Sequence, residues 1–290
     1  MRKSALLYLL LFICASGSPG ALQGLAAKAV DPVAAIAEAD ALFDRWSGPF
    51  DFVAYEADLR GAIERWELAL DGLAESDVQT RSHVLNRLAQ AYFELATGYL
   101  YDNREKEAAF EAGKDVALAS LRLDPTFDEV EAADGFRAAL RSATDVAAIF
   151  WYGNTLGQWL NYHQFTAIMG GVKDVAASFE RSLERGETYD GAGPHRAMGS
   201  LIAQAHFVIG RSQSEAAAHF ERCIELAPNH LEARVSYVKD YLIPRGDAKT
   251  SQALLADVLG LGEDANVMAA FPFYNTLAIE RARDLAGSDE

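Results

Sequence analysis

The sequence has few of the residues that interrupt helices or build sheets. Only 8 of its 290 residues are proline, and runs of β-branched residues are nearly absent. Alanine and leucine, which favour helices, dominate instead. No alternation of apolar and polar residues predicts a strand, so sheet-based folds are excluded and an all-α fold is expected.

Positive charge is also scarce. The chain has 26 basic residues against 42 acidic ones, which gives a formal charge of −16. Such a chain repels polyanions, so nucleic acid is not an expected partner. We interpret the acidity as a solvated surface.

Cysteine occurs only twice, as Cys14 and Cys223. Cys14 lies in a segment that we expect to be removed, and a single remaining cysteine cannot form an intramolecular disulfide. Phe220 and Ile224 share the apolar helix face of Cys223, which predicts a buried and unreactive thiol.

Long hydrophobic runs are absent as well. The run Ala5–Cys14 is too short to span a bilayer, and it follows Arg2 and Lys3. Small residues come next, as in a secretory signal peptide cleaved after Gly17 or Ala21. We predict a signal peptide at 1–21, a flexible leader at 22–31 and a single helical-repeat domain at 32–290.

The residue before Cys14 bears on lipid anchoring. A bacterial lipoprotein signal has a small residue there, whereas this sequence has Ile13. Lipid attachment at Cys14 is therefore not the expected state, although it stays open.

The stretch from Ser212 to Arg245 has the pattern of a tetratricopeptide hairpin. Its helix carries the signature A-x3-F-x5-L-x-P at Ala216, Phe220, Leu226 and Pro228. A second apolar stripe begins a few residues after the proline. Two amphipathic helices with so short a connection lie antiparallel.

Degenerate copies of this hairpin occur earlier in the chain. The ending Leu121–Pro125 resembles Ile224–Pro228 and precedes it by about three 34-residue repeats. The segment Phe179–Leu183 resembles Phe220–Ile224. The predicted architecture is a tetratricopeptide-like α-solenoid of about a dozen helices in antiparallel pairs. We expect its first hairpin from helices at 52–73 and 77–101, and a helix capped by Thr144.

Further local signals predict the later elements. We expect single helices at about 127–140, 165–185 and 266–285, and a loop at 187–194. Ser212 or Ser214 can cap the helix that carries Ala216, and Glu215 adds a negative charge in its first turn.

The helix after Thr144 is strongly aromatic and is the best candidate for a binding site. It contains Trp151, Tyr152, Asn154, Gln158, Trp159 and His163. The first interpretation is that its rings pack in the core, while Gly153 and Gly157 let another helix approach. The alternative is a cleft lined by rings, with Asn154, Gln158 and His163 as polar anchors. His195 and Arg196, at the start of a later helix, could hold an acid group there.

No catalytic or cofactor motif is present. The sequence lacks a nucleophile elbow, a phosphate-binding loop, and the Cys-x2-Cys and His-Glu-x2-His metal patterns. His195, His206 and His219 are spread apart and do not predict a metal site. We therefore expect no enzyme activity, no cofactor and no bound metal, and an enzyme with a scattered active site is the weakest alternative.

The region from Ala148 to the C terminus resembles the TatT family, the T-component of tripartite ATP-independent periplasmic (TRAP) transporters. The matching segments include Phe150–Tyr152 with Trp159, Phe179–Leu183, Gly193–Gly199, Ala218–Leu226, Tyr237–Leu242, Leu254–Leu259, and Tyr274 and Asn275 with Ala278, Arg281 and Ala282. The resemblance implies a non-enzymatic periplasmic accessory protein that docks a TRAP substrate-binding subunit. It also implies a homo-oligomer, for which a trimer is one arrangement, and a cleft for an apolar or organic-acid ligand.

A generic secreted tetratricopeptide scaffold for envelope protein assembly is the alternative function. It needs only the repeat surfaces and binds no small molecule.

Overall fold

The structure is a computed structural model that describes residues 31–45 and 50–287. The predicted signal peptide (1–21), Cys14 and all of the predicted leader except Asp31 lie outside the described residues. The described part of the chain consists of helices and connecting turns and contains no β-strand. The fold is thus all-α, as predicted. No helix within the described residues has the length and apolar character needed to cross a bilayer.

The helices follow one another with short connections. In chain order they are α1 (Pro32–Asp44), α2 (Phe52–Gly72), α3 (Val78–Gly98), α4 (Asn103–Leu121), α5 (Pro125–Asp134), α6 (Phe136–Ser142), α7 (Val146–Trp159), α8 (Gln164–Thr166), α9 (Val172–Gly186), α10 (Tyr189–Ile209), α11 (Gln213–Leu226), α12 (Glu232–Tyr237), α13 (Ala248–Leu261), α14 (Ala265–Ala270) and α15 (Pro272–Gly287). A π-helical turn, Ala167–Gly171, links α8 to α9, and a second one, Val238–Leu242, extends α12.

Aspartate side chains begin most of these helices by accepting hydrogen bonds from the first free backbone amides. Asp51 does so for α2 and Asp102 for α4. The aromatic helix α7 begins in the same way at Asp145, which accepts from two amides at 2.9 and 3.2 Å. The predicted cap at Thr144 is wrong by one residue, because the carboxylate of Asp145 is the group that reaches these amides.

The predicted first hairpin is also corrected. Helix α2 packs most extensively on α1, and α3 on α4, with a smaller contact between α2 and α3. The indole of Trp66 on α2 donates to Asp40 on α1 at 3.0 Å. Arg65, also on α2, pairs with Glu38 on α1. These contacts tie α2 to α1, so the hairpin is α1–α2.

Three predicted helices are divided. The helix expected after Asp124 breaks into α5 and α6 at Gly135, and the helix expected after His163 breaks at Gly170. Both glycines have positive φ angles, 88° and 134°, which interrupt a right-handed helix. The C-terminal helix divides into α14 and α15 before Pro272, which has no amide hydrogen to donate.

The hairpin of α11 and α12 matches its sequence pattern. Ser212 and Glu215 form a capping box at the start of α11. Ala216, Phe220 and Cys223 are fully buried, as their spacing predicted. Burial raises the pKa of the Cys223 thiol to about 11, which keeps it protonated and unreactive at neutral pH.

One hydrophobic cluster contains residues from α1 to α15. Within it, α7 packs tightly on α9 at Gly153, as the sequence indicated. A Cβ atom at this glycine would lie 2.7 Å from the ring of Phe179 and 2.9 Å from Cβ of Ser178. At Gly157 the nearest atom would be 3.6 Å away. The close approach is therefore confined to one turn of α7, and the space beyond it belongs to a cavity.

Candidate functional site

A cavity of about 500 Å³ lies inside the C-terminal three quarters of the solenoid. Residues of α3, α4, α7, α9, α10, α12 and α15 line it, so no single hairpin forms it, and it is partly open to solvent. Its apolar walls come from Phe93, Phe110, Phe179, Leu201 and Leu277. A volume of this size suits a small organic molecule.

The charges that line this central cavity are mainly positive, although the chain as a whole is acidic. The cations are Lys106, Arg196, Lys239 and Arg281, and the anions are Glu232 and Asp240. Glu232 and Arg281 pair with each other at 2.6 Å, which leaves Lys106, Arg196 and Lys239 against Asp240. The cavity therefore favours an anionic ligand.

Arg196 is a lining cation with a buried hydrogen-bond donor that has no partner in the described part of the chain. It lies on α10, and its Nε atom is buried without a hydrogen-bond partner among the described residues. An orphaned buried donor is costly, and a charge-assisted bond to a carboxylate would satisfy it. Glu232, another lining residue, has its Oε2 atom buried without a partner among the described residues. A ligand with both a carboxylate and a donor group would satisfy both atoms.

Two of the predicted polar anchors on α7 reach this cavity. Asn154 lines it but uses its amide nitrogen to donate to the carbonyl of Phe150 at 2.9 Å. Gln158, one turn later, lines it as well and accepts from Asn161 at 3.3 Å. The structure thus brings Asn154, Gln158 and Arg196 to one space.

The first two aromatic residues of the predicted site, Trp151 and Tyr152, point elsewhere. Trp151 is 1% exposed, and its indole donates to the hydroxyl of Tyr189 at 3.0 Å. Tyr152 is buried against Phe136 of α6. Burial raises the pKa of Tyr152 above its ordinary value. Both rings belong to the core, which was the first interpretation of the sequence.

Trp159 and His163 form a separate group at the end of α7. Their rings stack with centroids 3.6 Å apart, and the ammonium of Lys114 lies 4.6 Å from the indole ring. His163 also lies 3.3 Å from Glu107. Both partners come from α4, and neither ring lines the central cavity.

His195 lies beside Arg196 in sequence but faces away from the cavity. Its Nδ1 atom is 3.0 Å from Nδ1 of His219, and its Nε2 atom is 3.2 Å from Glu187. Burial, and then the charge of His195, lower the pKa of His219 to about 4, so His219 is neutral at pH 7. The pair joins α10 to α11.

The sequence interpretation missed the cations contributed by distant helices. Lys106 lies on α4, Lys239 on the π-helical turn after α12, and Arg281 on α15. Lys239 and Arg281 lie in segments that carry the family resemblance. From the sequence alone, each is interpreted as a surface charge beside an apolar stripe. Only the packing of the helices brings them together at this cavity.

Comparison with family models matches residues 68–290 to the family described as TRAP transporter T-component. The matched region contains every helix that lines the central cavity. No curated protein matches the chain.

Proposed function

Because the chain belongs to the TRAP transporter T-component family, we propose that it docks the substrate-binding subunit of such a transporter and holds a small organic acid in its central cavity. The family establishes the coarser role, that of an accessory component of a TRAP transporter. The periplasm is the proposed compartment, reached through the signal peptide at 1–21. Residues 32–290 are proposed to act as a single repeat domain.

The observation that carries the ligand proposal is the position of Arg196. It lines a cavity that has a surplus of cations and several aromatic residues, and its Nε atom is buried without a hydrogen-bond partner among the described residues. These features support an organic acid with an apolar body over a purely apolar ligand. Asn154 and Gln158 supply amide groups that would orient it.

We expect Arg196→Gln to weaken binding of hexanoate roughly tenfold or more, because it removes a charge-assisted hydrogen bond. Isothermal titration calorimetry measures this, with the neutral hexanamide as a second probe. The matched control is Arg185→Gln, an exposed arginine at the end of α9. Equal affinities for the acid and the amide, unchanged in Arg196→Gln, would instead indicate an apolar ligand.

Exposed apolar side chains support the docking proposal. Phe207 is 90% exposed and lines a surface groove of about 340 Å³ with Val208, Arg137 and Lys173. Arg137 also lies close to Gly170, directly after the exposed Ile168 and Met169. An apolar surface of this kind, rimmed by cations, suits contact with another protein that is acidic at its edge.

Phe207→Ser is expected to reduce capture of the transporter's substrate-binding subunit roughly tenfold, because burying one phenylalanine is worth about 1.5–3 kcal/mol. Surface plasmon resonance with both purified proteins measures the affinity. Tyr101→Ser is the control, since Tyr101 is 86% exposed at the turn between α3 and α4.

Light scattering of the same variants identifies the other occupant of this face. If Phe207→Ser dissociates an oligomer and leaves docking unchanged, the face joins copies of this chain. If Phe207→Ser changes neither docking nor the oligomeric state, this face takes part in neither contact. That result would favour the scaffold alternative.

A further inference from the structure

A second, smaller cavity of about 230 Å³ lies between α1, α2, α3 and the start of α15. Tyr274 borders both this cavity and the central one, so the two are neighbours. The polar groups of the smaller cavity differ in sign from those of the larger. Its described lining contains the carboxylates of Asp44, Glu94 and Asp190 and no basic side chain. Asp44 is paired with Arg87 at 3.0 Å, so Glu94 and Asp190 are the carboxyl groups without a basic partner at hydrogen-bond distance among the described residues.

Aromatic residues make up half of its described lining. They are Phe43, Phe50, Tyr55, Phe271, Phe273 and Tyr274. The rings pack on one another, as between Tyr55 and Phe273, whose centroids are 5.8 Å apart. Aromatic faces carry partial negative charge and attract cations. The wall and the carboxylates therefore favour the same sign of ligand.

Glu94 is held in place by three donors. Its Oε2 atom accepts from the hydroxyl of Tyr55 at 2.6 Å, and its Oε1 atom accepts from Gln90 at 2.9 Å and from Tyr274 at 3.1 Å. The side chain is buried, and burial raises its pKa to about 7. Desolvation without a counter-charge causes that shift.

Asp190 is the second buried carboxyl group, and it has no such support. Its Oδ2 atom is buried without a hydrogen-bond partner in the described part of the chain. Burial raises its pKa to about 6, and the more distant Arg196 only partly offsets this. A buried carboxyl oxygen at the wall of a cavity lacks a donor that a ligand would supply.

The backbone directs Asp190 into this position through a left-handed turn. Asp190, Gly191 and Ala192 have φ angles of 48°, 62° and 58°. Gly191 permits the turn to pack closely, because a Cβ atom there would lie 2.5 Å from His230 and 2.8 Å from Phe271. The left-handed turn costs about 1–2 kcal/mol for each residue other than glycine, so Asp190 occupies a constrained position.

We propose that this smaller cavity binds a small organic ammonium ion, with Asp190 and Glu94 as its counter-charges and the surrounding rings as its wall. The ammonium group donates to Asp190 Oδ2, and its carbon substituents contact the rings. This site is distinct from the organic-acid site and does not depend on it.

Size and ligand chemistry favour an organic cation over a metal ion. Hard metal ions require six or more oxygen ligands at short distance, whereas half of the described lining residues are aromatic. No group of three or more described His, Cys, Asp or Glu side chains is arranged to hold a metal. An ammonium ion instead gains from both the carboxylates and the rings.

The test is isothermal titration calorimetry of the whole mature chain with n-butylammonium chloride. The neutral n-butanol, sodium chloride and calcium chloride are the comparison probes. We expect saturable binding of n-butylammonium that n-butanol does not reproduce and that sodium does not displace at equal concentration. Absence of saturable binding, equal binding of n-butanol, or preferential binding of calcium overturns the proposal.

Asp190→Asn is expected to weaken n-butylammonium binding roughly tenfold or more, because a hydrogen bond to a charged group is lost. Asparagine tolerates the left-handed backbone, so the variant keeps its fold. Asp115→Asn, an exposed aspartate on α4, is the control and leaves binding unchanged. Unchanged affinity in Asp190→Asn overturns the assignment.

A reciprocal measurement separates this site from the organic-acid site. Arg196→Gln should keep or strengthen n-butylammonium binding, since it removes the cation that acts on Asp190, while it weakens hexanoate binding. If hexanoate fails to bind and n-butylammonium binds, the proposed function fails and the ammonium site stands. The opposite pattern overturns the ammonium site alone.

Discussion

Trp151→Ala is expected to lower the free energy of unfolding by about 3–5 kcal/mol. The side chain is 1% exposed and packs against Phe93 and Phe150, with ring centroids 5.6 and 4.9 Å away. Its truncation leaves a large void at the centre of the core. It also removes the indole that donates to the hydroxyl of Tyr189.

Urea denaturation followed by circular dichroism measures this loss. Trp159→Ala is the matched control on the same helix, and a smaller loss of roughly 1–2 kcal/mol is expected because Trp159 is only partly buried. A folded Trp151→Ala variant with little loss of stability and impaired hexanoate binding would contradict a core role. Such a result would indicate that Trp151 is a binding-site residue.

His230→Leu is expected to make the protein less sensitive to acid. Between pH 7 and pH 4 the variant should lose about 3 kcal/mol less of its free energy of unfolding than the unsubstituted protein. His230 is fully buried between Gly191 and the rings of Phe271 and Tyr274, and neither ring nitrogen has a partner among the described residues. Burial, and then the charge of Arg196, lower its pKa to about 3.

The direction of this pH effect follows from the protonation of His230 in the folded and unfolded chains. In the unfolded chain, His230 is protonated below the ordinary histidine pKa of about 6.5. In the folded chain it stays neutral until about pH 3. Each pH unit in this window costs the folded state about 1.4 kcal/mol. Stability is therefore lost as the pH falls from about 6.5, and leucine removes that loss.

His230→Gln separates titration from packing. Glutamine cannot take up the proton, so it should flatten the acid response as leucine does. Glutamine keeps a buried polar group without a partner, whereas leucine does not. At pH 7 the free energy of unfolding should therefore be lower for His230→Gln than for His230→Leu. Urea denaturation at pH 7, 6, 5 and 4 gives both quantities. An acid response that is the same in all three proteins would show that His230 does not titrate in this way.

Much of the local structure could be predicted from the sequence, because local signals determine it. The helical spacing of Ala216, Phe220 and Cys223 predicted the buried face of α11, and Ser212 with Glu215 predicted its start. The breaks at Gly135 and Gly170 were missed, since a glycine inside a periodic pattern does not reveal its φ angle. The Asp190 turn was predicted only as a loop, because its left-handed form depends on the contact of Gly191 with His230.

The candidate site was predicted in part, and the aromatic helix shows why. Its residues Trp151, Tyr152, Asn154, Gln158, Trp159 and His163 form a single group in the sequence. An α-helix turns about 100° per residue, so they point in different directions: into the core, into the central cavity and toward α4. Only the neighbouring helices decide which direction leads to a cavity.

The sequence by itself determined the all-α repeat fold, the helix starts and the family, because periodicity, capping residues and motif order are properties of contiguous residues. Tertiary structure alone decided which charges meet. Arg196, Lys239 and Arg281 come together in one cavity, and Glu94 and Asp190 in another, although they are far apart in the chain. Such groupings depend on how helices pack across the core, and burial then changes the hydrogen bonding and pKa of each group in ways that no local pattern encodes.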